Sequence, residues 1–138
     1  MIDTNADLIK YRISKAYMVL EEVEVLCQNN YYSAAISRLY FACFHAVIAI
    51  LTLLGYSAKT HKGTMVLLYQ HIVSNGILSQ EQSKFYSSLF QARHENDYDD
   101  FIEPDSSTLP DWQIKAKEFI DTINDHITNE LSSNENKE

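Results

Sequence analysis

A chain of 138 residues, 46% apolar and 22% charged, is the size and balance of one globular domain with a single core. Its net charge of -8 argues against tight nonspecific binding to DNA or any other polyanion, although a local basic site remains compatible with it. Three glycines and two prolines are too few for many strands and turns and favour long helices.

The first helix is predicted from about Asn5 to Cys27, capped by Thr4 or Asn5, with Ile9, Ile13, Ala16, Leu20, Val23 and Cys27 as its apolar stripe. The second runs from about Tyr31 to Leu54 with Asn30 as its cap. It is apolar on nearly every side, as a central helix should be, and Gly55 ends it as a left-handed stop. A shorter third helix covers about His61 to Val73, capped by Thr60. Ser79 and Gln82 form a capping box that opens a fourth, from about Gln80 to Asp97. Residues 103–110 read as a linker, and Pro110 suits the first turn of a last helix reaching about Leu131. Phe119, Ile123 and Ile127 mark its inner face, and residues 132–138 are expected to fray. The expected fold is a single all-α domain over residues 1–138, an up-and-down bundle of four long helices and one short one, ordered from about 4 to 131.

The start of the chain lacks a basic flank followed by an apolar run, and the longest apolar run, at 39–55, falls short of a span. No membrane association is expected, and the expected compartment is the cytoplasm. Cys27 and Cys43 read as small buried thiols. The five histidines have no metal-binding spacing, so neither a metal nor another cofactor is expected.

Two groups of polar residues stand out. Arg38 and His45, seven residues apart, share one face of the apolar second helix. A charged arginine there needs a partner, and Glu95 or Asp97 is the expected one, so that a buried Arg38–Asp97 pair would tie two helices. The other reading has Arg38 lining a phosphate pocket. The second group is 92-ARHENDYDDF-101. Arg93 and Asp97 can pair along one face, and His94 and Tyr98 have the same spacing on the next. A solvated helix end explains this stretch. So does a phosphate site in which an arginine grips the anion and a histidine moves a proton. His61 and Lys62, at the start of the third helix, form a further candidate anion site or simply a cap.

The blocks 31-YYSAAISRLYFACFHAVIAILTLLGYSAKTHKGT-64, 76-GIL-78 and 90-FQARHENDYDDF-101 occur in this order. Together they resemble the HEPN domain of small prokaryotic proteins. The first is similar to that family's A-x-S-R-x-Y-Y-A-x-F-H-A helix, with Phe41 in the second tyrosine place, and the last to its R-x-x-x-D-Y signature. The resemblance implies an all-α bundle and a homodimer. It also implies an association with a minimal nucleotidyltransferase in a toxin–antitoxin-like pair. Many members are metal-independent RNases with an arginine and, after four to six intervening residues, a histidine. Here Arg93 matches the arginine, but Tyr98, Asp99 and Asp100 occupy the histidine places. Arg38 and His45 have the bare spacing on a different helix, and His94 adjoins Arg93.

Three functions therefore stay open. The chain is a HEPN-like module that binds a nucleotide or a partner protein with little or no catalysis, with Arg38, Arg93, His61, Lys62 and Tyr98 as phosphate contacts. Or it is an RNase with a rearranged site drawn from Arg93, His94, Arg38 and His45. Or it is a structural dimer joined by apolar helix faces.

Overall fold

The computed structural model describes residues 4–98 and 105–135. Helix α1 spans Thr4–Gln28, α2 Tyr32–Leu53, α3 His61–Leu67, α4 Gln80–Tyr98 and α5 Leu109–Glu135. A π-helical stretch, Leu68–Val73, continues α3, and a 3-10 turn, Ser106–Thr108, leads into α5. No strand occurs among the described residues, so the expected all-α fold is the observed one. The third helix was expected to be uniform to Val73, but its second half widens into the π form. α5 continues through Glu135, past the expected stop at Leu131. Residues 136–138 of the expected tail, and 103 and 104 of the expected linker, lie outside the described residues.

Side-chain pairings show the bundle's topology. Glu22 meets Arg38 and Arg12 meets His45, so residue numbers fall along α1 as they rise along α2. Tyr40 meets Tyr86, and Ser33 meets Asn96, which sets α2 against α4 in the same sense. Gln82–Thr122 and Tyr86–Phe119 do so for α4 and α5, and Tyr17–Asp121 and Glu24–Gln113 for α5 and α1. The four long helices thus follow one another antiparallel in the order α1, α2, α4, α5, with α2 also packed directly on α5 across the middle, and α3 rests outside them against α2 and α4.

Chain reversals come from left-handed residues. Gly55 has φ 86°, and the bonds from Gly55 N–H to Thr52 O (3.1 Å) and from Tyr56 N–H to Leu51 O (2.8 Å) close α2 as a Schellman motif. Asn30 does the same for α1, with φ 62° and bonds from Asn30 N–H to Cys27 O and from Tyr31 N–H to Leu26 O. This corrects Asn30 as the cap of α2. An Asn tolerates the left-handed region that the turn demands, so it stops α1 instead, and Tyr31 occupies the cap position of α2 without a side-chain bond. The expected caps at Thr60 and at Ser79/Gln82 are present. Thr60 Oγ1 accepts from Gly63 N–H at 2.9 Å, and Ser79 and Gln82 bond reciprocally at 3.0 Å.

The core is built on α2, from which Ala35, Leu39, Tyr40, Ala42, Cys43, Ala46, Val47, Ala49 and Ile50 are fully buried. This helix is long and apolar enough to cross a bilayer by length and composition, yet 61% of its most apolar window is buried by its own bundle. α1 contributes Ile9, Ile13, Ala16, Val19 and Val23, and α5 contributes Phe119, Ile120, Ile123 and Ile127. Cys43 is buried and Cys27 half-buried, both as free thiols; burial pushes the Cys43 thiol well up. Tyr17 donates to Asp121 Oδ1 at 2.5 Å across α1 and α5, and burial pushes its hydroxyl up to about 12.

Candidate functional site

Arg38 and His45 share a face of α2, as their spacing requires, but that face meets α1. Arg38 donates from Nε (3.0 Å) and Nη2 (2.6 Å) to Glu22 Oε2, and the two side chains are 38% and 42% exposed. The expected buried Arg38–Asp97 pair is therefore corrected in both partner and burial. In the antiparallel α1–α2 packing, Glu22 lies opposite Arg38. Asp97 belongs to α4, on another side of α2. A pair this exposed is worth about 0.2–1 kcal/mol. Arg38→Ala should accordingly lower the urea-unfolding free energy by no more than about 1 kcal/mol. A loss of about 3 kcal/mol or more would be the signature of a buried pair and would contradict this geometry.

Seven residues on, His45 Nδ1 lies 3.0 Å from Arg12 Nη1. Arginine only donates, so Nδ1 accepts and the ring is neutral, with its proton on Nε2. Burial, and then the cations of Arg12, Lys15 and Arg38, hold the pKa below its ordinary value of 6.5. His45 therefore serves the α1–α2 contact rather than the neighbourhood of Arg93.

The acid-rich end of α4 does rest on the start of α2, through small polar groups. Asn96 Nδ2 donates to the Ser33 carbonyl at 2.9 Å, and Ser37 Oγ to Asp97 Oδ1 at 3.4 Å. The predicted i,i+4 pair is present, with Arg93 Nε 3.3 Å from Asp97 Oδ2. That geometry is an ion pair without a hydrogen bond, and the buried Arg93 Nε finds no acceptor among the described residues. The guanidinium lies over two rings of α2, its Cζ 4.8 Å from the Phe41 centroid and 5.5 Å from that of Tyr40.

His61 approaches the same two rings from the start of α3. Its ring centre is 5.5 Å from that of Tyr40, 6.2 Å from Phe41 and 4.7 Å from Phe44. Its Nδ1 is 2.7 Å from the Tyr40 hydroxyl, which also accepts from the Tyr86 hydroxyl at 3.3 Å. Burial, followed by the positive charge of Arg93, holds the His61 pKa below 6.5. Burial raises that of Tyr40, with the Tyr86 bond and Arg93 pulling against it. Three helices thus bring an arginine with spare donor capacity and a neutral imidazole to one aromatic floor. Such a set can grip a phosphate and accept a proton near neutral pH.

His94 and Lys62 are exposed. The side chain of Tyr98, and residues Asp99 and Asp100, lie outside the described residues. A groove of about 500 Å³ between α4 and α5, lined by Lys84, Phe85, Trp112 and Lys115 among others, is separate from this floor. Sequence reasoning named Arg93 and His61 but did not join them, and it missed Tyr40 altogether. The available signal was a tyrosine in the most apolar stretch of the chain, whose hydroxyl needs a partner when buried.

A family model for the HEPN domain matches residues 9–126, from the second turn of α1 to most of the way along α5. The chain belongs to the HEPN family. Among curated relatives, a "UPF0332 protein" of Thermotoga maritima is 31% identical over 116 residues, covering 84% of this chain and 88% of that one. Another "UPF0332 protein", from Archaeoglobus fulgidus, is 33% identical over 92 residues, 67% of this chain and 73% of its own. A Methanocaldococcus jannaschii protein named "Putative toxin MJ0142" is 30% identical over 91 residues, 66% of this chain and 62% of its own. The HEPN resemblance drawn from residues 31–101 is therefore shown. In this HEPN domain Arg93 has His61, from another helix, as its imidazole neighbour.

His45 and His61 also make the domain sensitive to acid. Both are harder to protonate folded than unfolded, so the unfolded chain binds more protons once the pH drops below about 6.5. Their contribution is complete above that value and declines as the pH falls towards the lower folded pKa values. The melting temperature should fall between pH 7 and pH 5. His45→Gln, which keeps an acceptor for Arg12, should flatten part of that fall. An equal slope in wild type and variant would remove His45 from the account.

Proposed function

We propose that this HEPN domain is a toxin-like module of a toxin–antitoxin-type pair with a nucleotidyltransferase, and that it binds a nucleotide or a single-stranded RNA through Arg93 and His61, with the buried Tyr40 holding His61 from beneath. The observation that carries this reading is the convergence of Arg93 and His61 on the Tyr40–Phe41 floor. The terminal N–H groups of the half-buried Arg93 guanidinium would be offered to a phosphate oxygen, and the exposed parts of the Phe41 and Phe44 rings would accept a base. The net charge of -8 suits a contact confined to this spot rather than a broad polyanion surface. Names of relatives such as "Putative toxin MJ0142" support the toxin-like part.

A second reading, metal-independent RNA cleavage, is favoured by one feature. His61 is held neutral by burial and by Arg93, and Tyr40 engages only its Nδ1. In the tautomer whose Nδ1–H donates to the Tyr40 hydroxyl, the other nitrogen, Nε2, would take the proton of a ribose 2'-hydroxyl. The 2'-oxygen would attack phosphorus as the bond to the 5'-oxygen breaks, the leaving oxygen taking a proton from water and His61 later returning its own to the solvent, which gives a 2',3'-cyclic phosphate.

One experiment separates the two. Purified protein is titrated against a labelled single-stranded RNA and against a mononucleotide, with EDTA present, alongside Arg93→Ala and His61→Gln. Binding by wild type that Arg93→Ala weakens, without cleavage, supports the first reading. Cleavage lost in both variants supports the second. Wild-type binding that neither variant alters would overturn this site.

A further inference from the structure

Helix α1 holds two cations that no carboxylate neutralises. Arg12 and Lys15 are neighbours on its surface, one turn apart, where like charges repel. Neither forms an ion pair among the described residues. Water solvates an exposed lysine such as Lys10 well, but these two are half withdrawn from it. Glu22, further along α1, is taken by Arg38 through bonds of 3.0 and 2.6 Å. Arg12 faces a neutral partner instead, His45, whose Nδ1 lies 3.0 Å from its Nη1. Its Nε is buried with no acceptor among the described residues. An unmet buried donor and a like-charge neighbour each cost stability. A contact that served only to pack α1 on α2 would have no use for either.

Three donors stay within reach of solvent beside this contact. Because Nδ1 of His45 accepts, its Nε2 carries the proton, and that N–H meets no acceptor among the described residues. Nη2 of Arg12 and Nζ of Lys15 make no bond there either, and none of the three atoms is buried. Arg12 and Lys15 both lie close enough to His45 for their charges, after burial, to hold its imidazole neutral. Two cations beside a neutral N–H fit a ligand with two negative charges and several acceptor oxygens. A terminal phosphate carries about -1.5 to -2 near neutral pH. A phosphodiester or a carboxylate carries half of that and leaves one cation unmatched.

We propose that Arg12, Lys15 and His45 form an oxyanion site along the α1–α2 contact, which takes a terminal phosphate, either the free ion or the monoester of a small molecule. Arg12 offers its terminal N–H groups, Lys15 its ammonium and His45 its Nε2–H to separate oxygens. Arg38 is not a ligand, because Glu22 occupies its Nε and Nη2. The site lies on the α1 side of α2, whereas Arg93 and His61 approach α2 from α4 and α3. It therefore goes beyond the nucleotide reading and does not depend on it. A bound dianion would relieve the repulsion between Arg12 and Lys15 and stabilise the folded chain by mass action.

The test titrates the full chain, at constant ionic strength and neutral pH, with inorganic phosphate, glycerol phosphate and dimethyl phosphate. Binding is read by calorimetry and by the imidazole resonances of His45. Wild type should bind phosphate saturably with a Kd below about 1 mM, and its His45 signals should move along the same curve. Lys15→Gln and Arg12→Gln should each weaken binding by about tenfold or more. Lys15 makes no bond that the fold needs, so its variant keeps the test readable should Arg12→Gln lose its helical circular dichroism. Dimethyl phosphate, with one charge, should bind about tenfold more weakly than phosphate. Tighter binding of glycerol phosphate would make a small-molecule monoester the ligand, and tighter binding of phosphate the free ion. Arg93→Ala should leave all of this unchanged, which keeps the outcome separate from that of the nucleotide site. No saturable binding, a curve that His45 does not follow, full affinity in Lys15→Gln, or binding lost in Arg93→Ala instead would each overturn the proposal.

Discussion

Replacing Arg93 by alanine is expected to weaken binding of a short single-stranded RNA by about ten- to a hundredfold and to leave the helical content unchanged. The estimate rests on charge-assisted hydrogen bonds. Those are worth about 1.5–3 kcal/mol each, and about 1.4 kcal/mol is tenfold in affinity. Arg93→Lys keeps the charge but not the planar fork, so it should recover only part of the loss. Removing the guanidinium from above Tyr40 and Phe41 also removes a cation–π contact, worth about 0.5–2 kcal/mol of stability. Binding should therefore be compared well below the melting temperature, by fluorescence anisotropy at fixed salt. Full affinity in Arg93→Ala would mean that the phosphate is held elsewhere.

Phe119→Ala should have the largest effect on stability, about 3–5 kcal/mol. Phe119 is fully buried on α5, stacked on Tyr86 at 5.5 Å and 10°, with Phe85 edge-on at 6.4 Å. Its loss leaves a ring-sized void where three helices meet, and the fixed backbone of a four-helix bundle closes over it only in part. The midpoint of urea unfolding should fall at an unchanged slope, because the surface exposed on unfolding hardly alters. A cost below about 1 kcal/mol would imply that the site collapses freely, against the tight packing seen here.

The helices were legible because their signals are local. The 3.6-residue stripe of α1, the all-round apolarity of α2, and the Thr60 and Ser79/Gln82 caps each depend on residues within one or two turns. Asn30 was misplaced because an Asn serves equally to start a helix or to stop one; the left-handed backbone that decides between them is invisible in the letters. The Arg38 pairing failed at another level. Its spacing from His45 identified the shared face correctly, but which neighbour that face meets is a property of the bundle's order. The order α1–α2–α4–α5 around the bundle puts α1 there. His61 and Arg93, 32 positions apart in the sequence, could not be joined for the same reason.

The Tyr86–Tyr40–His61 chain of hydroxyls and imidazole has one more implication. Tyr86 fills the centre of the bundle against Phe119 and also sends its proton towards Tyr40, which touches His61. The tautomer at the rim is thus wired to the packing of the middle. A change as remote as trimming α5 should register as a shifted imidazole resonance, so that the interior acts as a tuning screw for the ring at the surface.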